Sequence, residues 1–361
     1  MNKKILCLID GLTLGGAERQ LVGLASFLQK KGYDVDLAYY YKDNFYSSLV
    51  KEEQIETIYI SVKRNKIDKL WRIGKLIRRN NYDVVIAYKD GATIIGCLLK
   101  ALGGKFKLIV SERNTNLSVS KKDTIKFFLY RWADFVVPNS NAQRLFICEN
   151  FSGLKARTVT IPNFTDNDSF IPKHIEKEDS TIQILTVARI AKQKNILNYL
   201  QAIKAVSEVN GNVRFDWYGD VQPGEEAYEK ECIERIHSLG LEKTFSFHQA
   251  TSNVLEVYQN SDIFCLPSNY EGYPNVICEA MCCGKPILCS NVCDNPIIVE
   301  NGYNGLLFNP HRPEDIANRI HEMLIMKKEE LVKMGDRSLD ISKRKFSKEA
   351  FVENYIKLIE S

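Results

Sequence analysis

Residues 269–281 read NYEGYPNVICEAM, with two glutamates eight positions apart, Glu271 and Glu279. The run in front of them, DIFCLPS (262–268), is short and apolar, as a buried strand is. Pro274 or Asn275 opens the helix that follows, and apolar residues continue behind it. Strand, turn and helix in this order form the unit from which a helix-covered parallel sheet is wound. The free N–H groups of GYPN point outward with the positive end of that helix. Glu279 lies one turn inside, where a carboxylate can accept from two neighbouring hydroxyls. Glu271, on the turn, is placed to accept from another polyol. An ordinary solvated turn before a surface helix is the plainer reading, and the rest of the chain decides between them.

The same rhythm runs through all 361 residues. KILCLI, VDLAYY, ETIYI, DVVIAY, KLIV, DFVVPN and TVTIPN read as buried strands of a first half, separated by helical patterns such as AERQLVGLASFLQKKG and KIDKLWRIGKLIRRN. The rhythm breaks over Asn163–Thr181, a polar stretch with several turn formers. It restarts at IQILTVARI and continues through RFDWYGD, FSFH, DIFCLPS, KPILCS and NGLLF. We expect two doubly wound Rossmann-like domains, residues 1–170 and 171–345, facing across a cleft, and a last helix, 346–361, that crosses back to the first. Doubly wound sheets bind ligands at the carboxyl ends of their strands, so the strand-to-helix turns are the places to search.

Composition bounds the function. The chain is 45% hydrophobic and 26% charged, as soluble globular proteins are. Residues 1–170 hold 27 Lys and Arg against 17 Asp and Glu, and the remainder 22 against 28. That asymmetry suits a first half facing an anionic surface or substrate. None of the ten cysteines stands in a CxxC pair and the spacings fit no familiar zinc pattern, so buried thiols in a reducing compartment are expected. The apolar stretch of MNKKILCLID is too short for a signal peptide, and no window approaches a membrane span. We therefore expect a cytoplasmic chain, at most attached to the inner face of a membrane.

Three turns carry chemistry. In DGLTLGGAERQ, Gly15 and Gly16 let backbone N–H groups approach a ligand at a helix start. The spacing is not G-x-G-x-x-G and no acidic residue closes the second strand, which disfavours a dinucleotide-dependent dehydrogenase. In TVARIAKQKNI, Arg189 and Lys194 straddle a turn and could clamp a diphosphate, arginine as a fork of donors and lysine as a point charge. The third turn is the opening stretch. Cations and N–H groups would meet phosphates there, and carboxylates would meet sugar hydroxyls, a division that fits a nucleotide-sugar.

GGAER, VARIAKQKN, NYEGYPNVICEAM and NGYNGLLFNP, in this order and separation, resemble the retaining GT-B glycosyltransferases of family 4, also called the glycosyltransferase group 1 family. The resemblance implies transfer of a hexose or N-acetylhexosamine from a nucleotide-sugar, a UDP-sugar ahead of a GDP-sugar, with retention. The acceptor would be a saccharide or lipid-linked saccharide, in the building of a surface polysaccharide such as a capsule or lipopolysaccharide. It implies no cofactor and no metal. Arg189, Lys194 and Glu271 would be catalytic, the cations neutralising the departing diphosphate and Glu271 meeting the transferred sugar. Gly15, Gly16, Gly272, Tyr273, Pro274, Asn275 and Glu279 would bind the donor, Glu279 through the ribose. Two departures stand out. Where many members carry a histidine after the fifth strand, this chain has SERN, which makes Glu112, Arg113 and Asn114 candidate acceptor or donor contacts. Ile297 stands where members often carry glutamate.

The helices KIDKLWRIGKLIRRN and SKKDTIKFFLYRWADF mix basic residues with Trp, Phe and Leu, so Trp71, Arg72, Lys75, Arg78 and Arg79 could rest on anionic lipid. An ordinary outer helix packing its apolar stripe on the sheet explains them equally. Two rival functions remain open at this level: a GT-B-like epimerase or phosphorylase, and a non-catalytic nucleotide-sugar-binding subunit.

Overall fold

The computed structural model describes residues 3–13, 15–42, 50–51, 53–61, 65–166, 168–173 and 181–361. Contacts divide it into two units, Met1–Phe164 with Lys348–Ser361, and Thr165–Ser347. Of the polar stretch expected to join two domains, residues 167 and 174–180 lie outside the described residues.

The first unit is wound from β1 (Lys4–Ile9), α1 (Gly16–Lys30), β2 (Asp34–Tyr39), β3 (Glu56–Tyr59), α2 (Lys66–Asn80), β4 (Val84–Tyr88), α3 (Asp90–Ala101), β5 (Lys107–Glu112), α4 (Lys121–Leu129), β6 (Phe135–Pro138) and α5 (Asn141–Asn150). Its sheet has the order β3-β2-β1-β4-β5-β6. All its pairs are parallel, with Ile5 opposite both Val35 and Val84. Strands buried on both faces read as unbroken apolar runs, which is why KILCLI and VVIAY show no alternation. TVTIPN is not a seventh strand. It makes a single bridge, Thr158 to Val136, and two further backbone bonds run from Val159 and Ile161 to the edge strand β6. The ladder goes no further because its next return bond would have to come from the N–H of residue 138, and Pro138, at the end of β6, has none.

The second unit continues with β7 (Ile182–Val187), α6 (Ile196–Val209), β8 (Val213–Tyr218), α7 (Glu226–Leu239), β9 (Phe245–His248), α8 (Val254–Asn260), β10 (Ile263–Leu266), α9 (Asn275–Cys282), β11 (Ile287–Ser290), α10 (Asn295–Ile298), β12 (Gly305–Phe308), α11 (Pro313–Leu324) and α12 (Lys328–Lys345). The sheet order is β12-β11-β10-β7-β8-β9, again wholly parallel. One core packs α6, α7 and α11 against it, and the other packs α8, α9 and part of α12. The strand order reverses between β1 and β4 in the first unit and between β7 and β10 in the second. At those two points connections leave to opposite faces and open a crevice.

The last helix, α13 (Lys348–Glu360), belongs to the first unit. Phe351, Val352, Tyr355, Leu358 and Ile359 join the core formed by Leu21, Leu24 and Leu28 of α1. Its C-terminal carbonyls, unpaired within any helix, are met by two ammonium groups: Lys3 donates to Ile359 O at 2.7 Å, and Lys107 to Leu358 O and Ile359 O at 3.1 and 3.0 Å. All ten cysteines are free; eight are buried, and Cys148 and Cys293 are partly so. Among the described residues no helix is long and apolar enough to cross a membrane.

Tyr355 is fully buried and bonds Tyr88 of β4 through the two hydroxyls at 2.8 Å. Tyr355→Ala is therefore expected to lower stability by about 3–5 kcal/mol, and Tyr355→Phe by about 1 kcal/mol, measured by denaturant unfolding of the whole chain.

Candidate active site

In the second unit β7 and β10 lie side by side at the point of reversal, and their following turns hold the residues singled out above. After β7 the chain passes Arg189, which is exposed, and enters a short 3₁₀ turn, Lys192–Lys194. After β10 it passes Glu271 and enters α9 at Asn275. The two turns are stitched together. Asn269 N donates to Gln193 O at 2.8 Å, Gln193 Nε2 to Tyr270 O at 2.9 Å, and Asn269 Nδ2 to Lys192 O at 3.3 Å. Lys194 Nζ then meets Glu271 Oε1 at 2.6 Å, with the two side chains only 13% and 9% exposed. The expected separation of roles, lysine for phosphate and glutamate for sugar, is thus a single ion pair in this structure. A ligand that takes up Lys194 must share it with, or free, the Glu271 carboxylate.

Asn195 holds this arrangement from below. Its φ of 59° is the left-handed conformation that asparagine tolerates, and its Nδ2 donates to Pro267 O at 3.1 Å and Pro310 O at 2.7 Å. One buried side chain thereby ties the ends of β7, β10 and β12. The sequence reading missed it, although an asparagine directly after the clamp lysine and before a helix was the available signal. Gly219 plays the matching part on the other flank. A Cβ there would sit 2.1 Å from Ala188 O, so only glycine lets the end of β8 close on the turn that carries Arg189.

Glu279, one turn inside α9, is 7% exposed and accepts from Tyr258 Oη of α8 at 3.0 Å. Gly272, Pro274 and Asn275 lie at the helix start, where the first N–H groups precede the ladder. Tyr273 differs from expectation. Its ring is packed in the core with Cys278 and Cys282, 6.1 Å from Phe346 in an edge-on contact. Its hydroxyl is buried without a hydrogen-bond partner, and burial pushes it well above the ordinary tyrosine range. Tyr273 can meet a ligand only through its backbone. Tyr218 and His248, stacked at 4.4 Å beside the Arg189 turn, were not foreseen. A polar cavity of about 350 Å³ lined by Gln183, Asp216, Tyr218 and residues of α8 holds none of the predicted site residues.

The first unit has a comparable arrangement at its own point of reversal. Gly15 caps α1 in an extended conformation, and a Cβ on it would lie 2.4 Å from the Glu18 carboxylate. Glu18, 3% exposed, accepts from Thr13 Oγ1 at 2.5 Å and from Lys89 Nζ, on the turn after β4, at 2.6 Å. The positive helix start behind Gly15 and Gly16 therefore already faces a carboxylate. Nearby, Asp10 accepts from Tyr40 Oη, and burial holds its carboxyl above the usual range.

The SERN residues divide. Glu112 is 1% exposed, paired with Lys126 Nζ at 2.8 Å and accepting from Asn114 N at 3.2 Å. Burial raises its carboxyl, and Lys126 pulls it back. Asn114 is exposed. Arg113 is spent inside the unit, donating to Asn163 Oδ1, to Tyr88 Oη and, at 3.0 Å, to Tyr355 Oη, with its guanidinium 4.3 Å over the Tyr88 ring. It clamps α13 to the sheet; three of its five N–H groups are used in this way and Nε is buried, which leaves one hydrogen of Nη1 for any other contact. Among the described residues no group of three or more His, Cys, Asp or Glu side chains is arranged to hold a metal.

Comparison with known proteins follows the same division. The profile of the glycosyltransferase family 4 matches residues 14–169, and that of the glycosyl transferases group 1 matches residues 167–339. Together the two profiles span residues 14–339, and the chain belongs to the glycosyltransferases that they describe. It is 26% identical over 288 residues to an α-1,4-N-acetyl-D-galactosaminyltransferase of Campylobacter jejuni that acts on a diphospho-undecaprenol-linked saccharide, covering 77% of this chain and 76% of that one. It is 23% identical over 264 residues to an Escherichia coli α-1,3-galactosyltransferase acting from UDP-Gal on GlcNAc-diphosphoundecaprenol, covering 68% and 67%. The crystal structure of Anabaena HepE in complex with UDP superposes with a TM-score of 0.86 at 21% identity over 99% of each chain. The two doubly wound units are those of the GT-B fold.

Removing one partner of the Lys194–Glu271 pair leaves a buried charge alone. Lys194→Ala and Glu271→Gln should each cost about 1–3 kcal/mol, and the double variant should cost clearly less than their sum, with a coupling energy of about 1–2 kcal/mol read from a double-mutant cycle in urea.

Proposed function

We propose that this glycosyltransferase moves a hexose or N-acetylhexosamine from a UDP-sugar to a saccharide carried on a lipid, with retention and without a metal. The observation that carries the reading is the switch point of the second unit. Arg189, Lys194, the start of α9 and the carboxylates of Glu271 and Glu279 stand there on adjacent strand ends, two cations and a helix dipole beside two hydroxyl acceptors. Arg189 and Lys194 would neutralise the diphosphate as it departs, which is the largest contribution such a site can make. Glu279, held by Tyr258, would take the ribose hydroxyls. Glu271, released from Lys194 as that cation turns to phosphate, would be free to accept from the transferred sugar.

The relatives named above use UDP-Gal or act on undecaprenol-linked saccharides, which supports the donor nucleotide and the lipid carrier. Among the described residues we assign no carboxylate to the role of a covalent nucleophile, so attack from the face the diphosphate leaves is the reading adopted here. In it the acceptor oxygen bonds to the anomeric carbon as the bond to the diphosphate breaks. The acceptor proton passes to a diphosphate oxygen.

The test is a panel of nucleotide-sugars incubated with and without a diphospholipid-linked saccharide. UDP release that requires the acceptor is expected; release without acceptor would indicate an epimerase or hydrolase. Lys194→Ala and Arg189→Ala should each lower kcat by about 10²–10³-fold, and Glu279→Gln should act mainly through the donor KM. Wild-type turnover in all three would overturn the site.

A further inference from the structure

Helix α4 has apolar side chains on both sides. Phe127 is 1% exposed and joins the core, with Asp123 and Lys126 turned inward beside it at 9% and 4%, while Ile125 and Phe128 stand in solvent at 64% and 55%. A helix covering a sheet ordinarily keeps its charges outside and its large apolar residues inside. The inward charges have a purpose: Lys126 Nζ reaches Glu112 at the end of β5, with Asp90 at 3.4 Å and Asp123 at 3.8 Å, and Tyr130 closes on the same carboxylate at 3.3 Å. The outward apolar side chains are left uncovered by the core of the unit. The preceding loop adds Leu117 at 66% and Val119 at 42% exposure.

Within this segment the exposed charges have one sign. Lys121, Lys122 and Arg131 are exposed, and Arg131 lies 4.7 Å over the rings of both Phe128 and Trp132. The sole acidic residue between 113 and 133 is Asp123, which is turned inward to close a capping box with Ser120. The other basic helix singled out from the sequence, α2, is conventional by comparison. Ile73 and Ile77 face the core, Arg72 is tied to Asp68 at 2.9 Å, and Lys75 lies over the exposed Trp71 ring at 4.8 Å.

We infer that the surface formed by Leu117, Val119, Ile125, Phe128 and Trp132 docks the protein onto an anionic bilayer. The aliphatic and aromatic groups enter the boundary between headgroups and acyl chains, and Lys121, Lys122 and Arg131 meet lipid phosphates. Lysines beside the apolar centre favour this occupant over a protein, because protein interfaces are depleted in lysine. The inference rests on the proposed lipid-borne acceptor for its purpose, but the following test involves neither donor nor acceptor, so the two readings fail separately.

The full chain is floated with vesicles of phosphatidylcholine alone or with phosphatidylglycerol added. Binding is expected to the anionic vesicles and to weaken with salt. Ile125→Ser with Phe128→Ser should lower the partition coefficient by about tenfold or more while leaving the melting temperature within a degree or so of wild type. Lys121→Gln with Lys122→Gln should weaken binding and flatten its salt dependence. Three outcomes would overturn the inference: unchanged binding in the apolar double variant, a clear fall in its melting temperature, which would place the side chains in the core, or a wild-type dimer that the variant converts to monomer, which would make the face a contact between copies.

Discussion

The contact between Lys194 and Glu271 is the constraint on which the candidate site depends. Two strands adjacent in a sheet but distant in sequence must present their turns in register, and a buried ion pair at 2.6 Å allows little slack. A pair this buried contributes little net stability, because desolvation offsets most of the attraction. Its value lies in specifying position, and the cost of breaking it is high. Asn195 and Gly219 serve the same end by other means, one through two donated hydrogen bonds and one through the absence of a side chain. The first unit repeats the device with Lys89 and Glu18, again across its point of strand reversal. Each unit thus keeps a lysine at the carboxyl-end edge of its sheet paired with its own carboxylate.

Such pairing has a chemical consequence for any anionic ligand. A bare lysine attracts phosphate strongly but also attracts every other anion. A lysine already paired exchanges one carboxylate for a phosphate, so the net attraction depends on what the displaced carboxylate finds. A sugar with suitably placed hydroxyls would satisfy Glu271, whereas inorganic phosphate would leave it buried and unpaired. Discrimination between a nucleotide-sugar and a simple anion can therefore be built from a contact that looks merely structural.

The layered α/β architecture was legible because strand burial on both faces writes itself as long apolar runs, and helix starts as Pro, Asn or Gly after them. The run that misled, TVTIPN, has the composition of a strand; what denies it a place in the ladder is Pro138 on the neighbouring edge strand, which has no N–H to return the next bond and lies outside any local window. The candidate residues stand out as types and spacings at strand ends. What they touch does not. Arg113 reads as a ligand contact from its place in SERN, but its guanidinium is drawn inward by Tyr88, Tyr355 and Asn163, which lie 25, 242 and 50 positions away. Tyr273 likewise sits amid exposed-looking turn residues and is buried because α12 and Phe346 cover it. Pairings across such distances in sequence follow from topology, and a periodicity argument has no access to them. The inward charges of α4 were hidden for the same reason, since Lys126 turns inward only because Glu112 is there to receive it.

The position of α13 bears on how the chain comes to be folded. Its apolar residues complete the core of the first unit, yet they follow every residue of the second in the order of synthesis. The second unit can close while still emerging from the ribosome. The first must wait, with the surfaces of Leu21, Leu24 and Leu28 uncovered, until the last turn of helix is released. The half of the protein made earliest is the half finished last, and during that interval its unfilled groove is where chaperones or stray chains would bind.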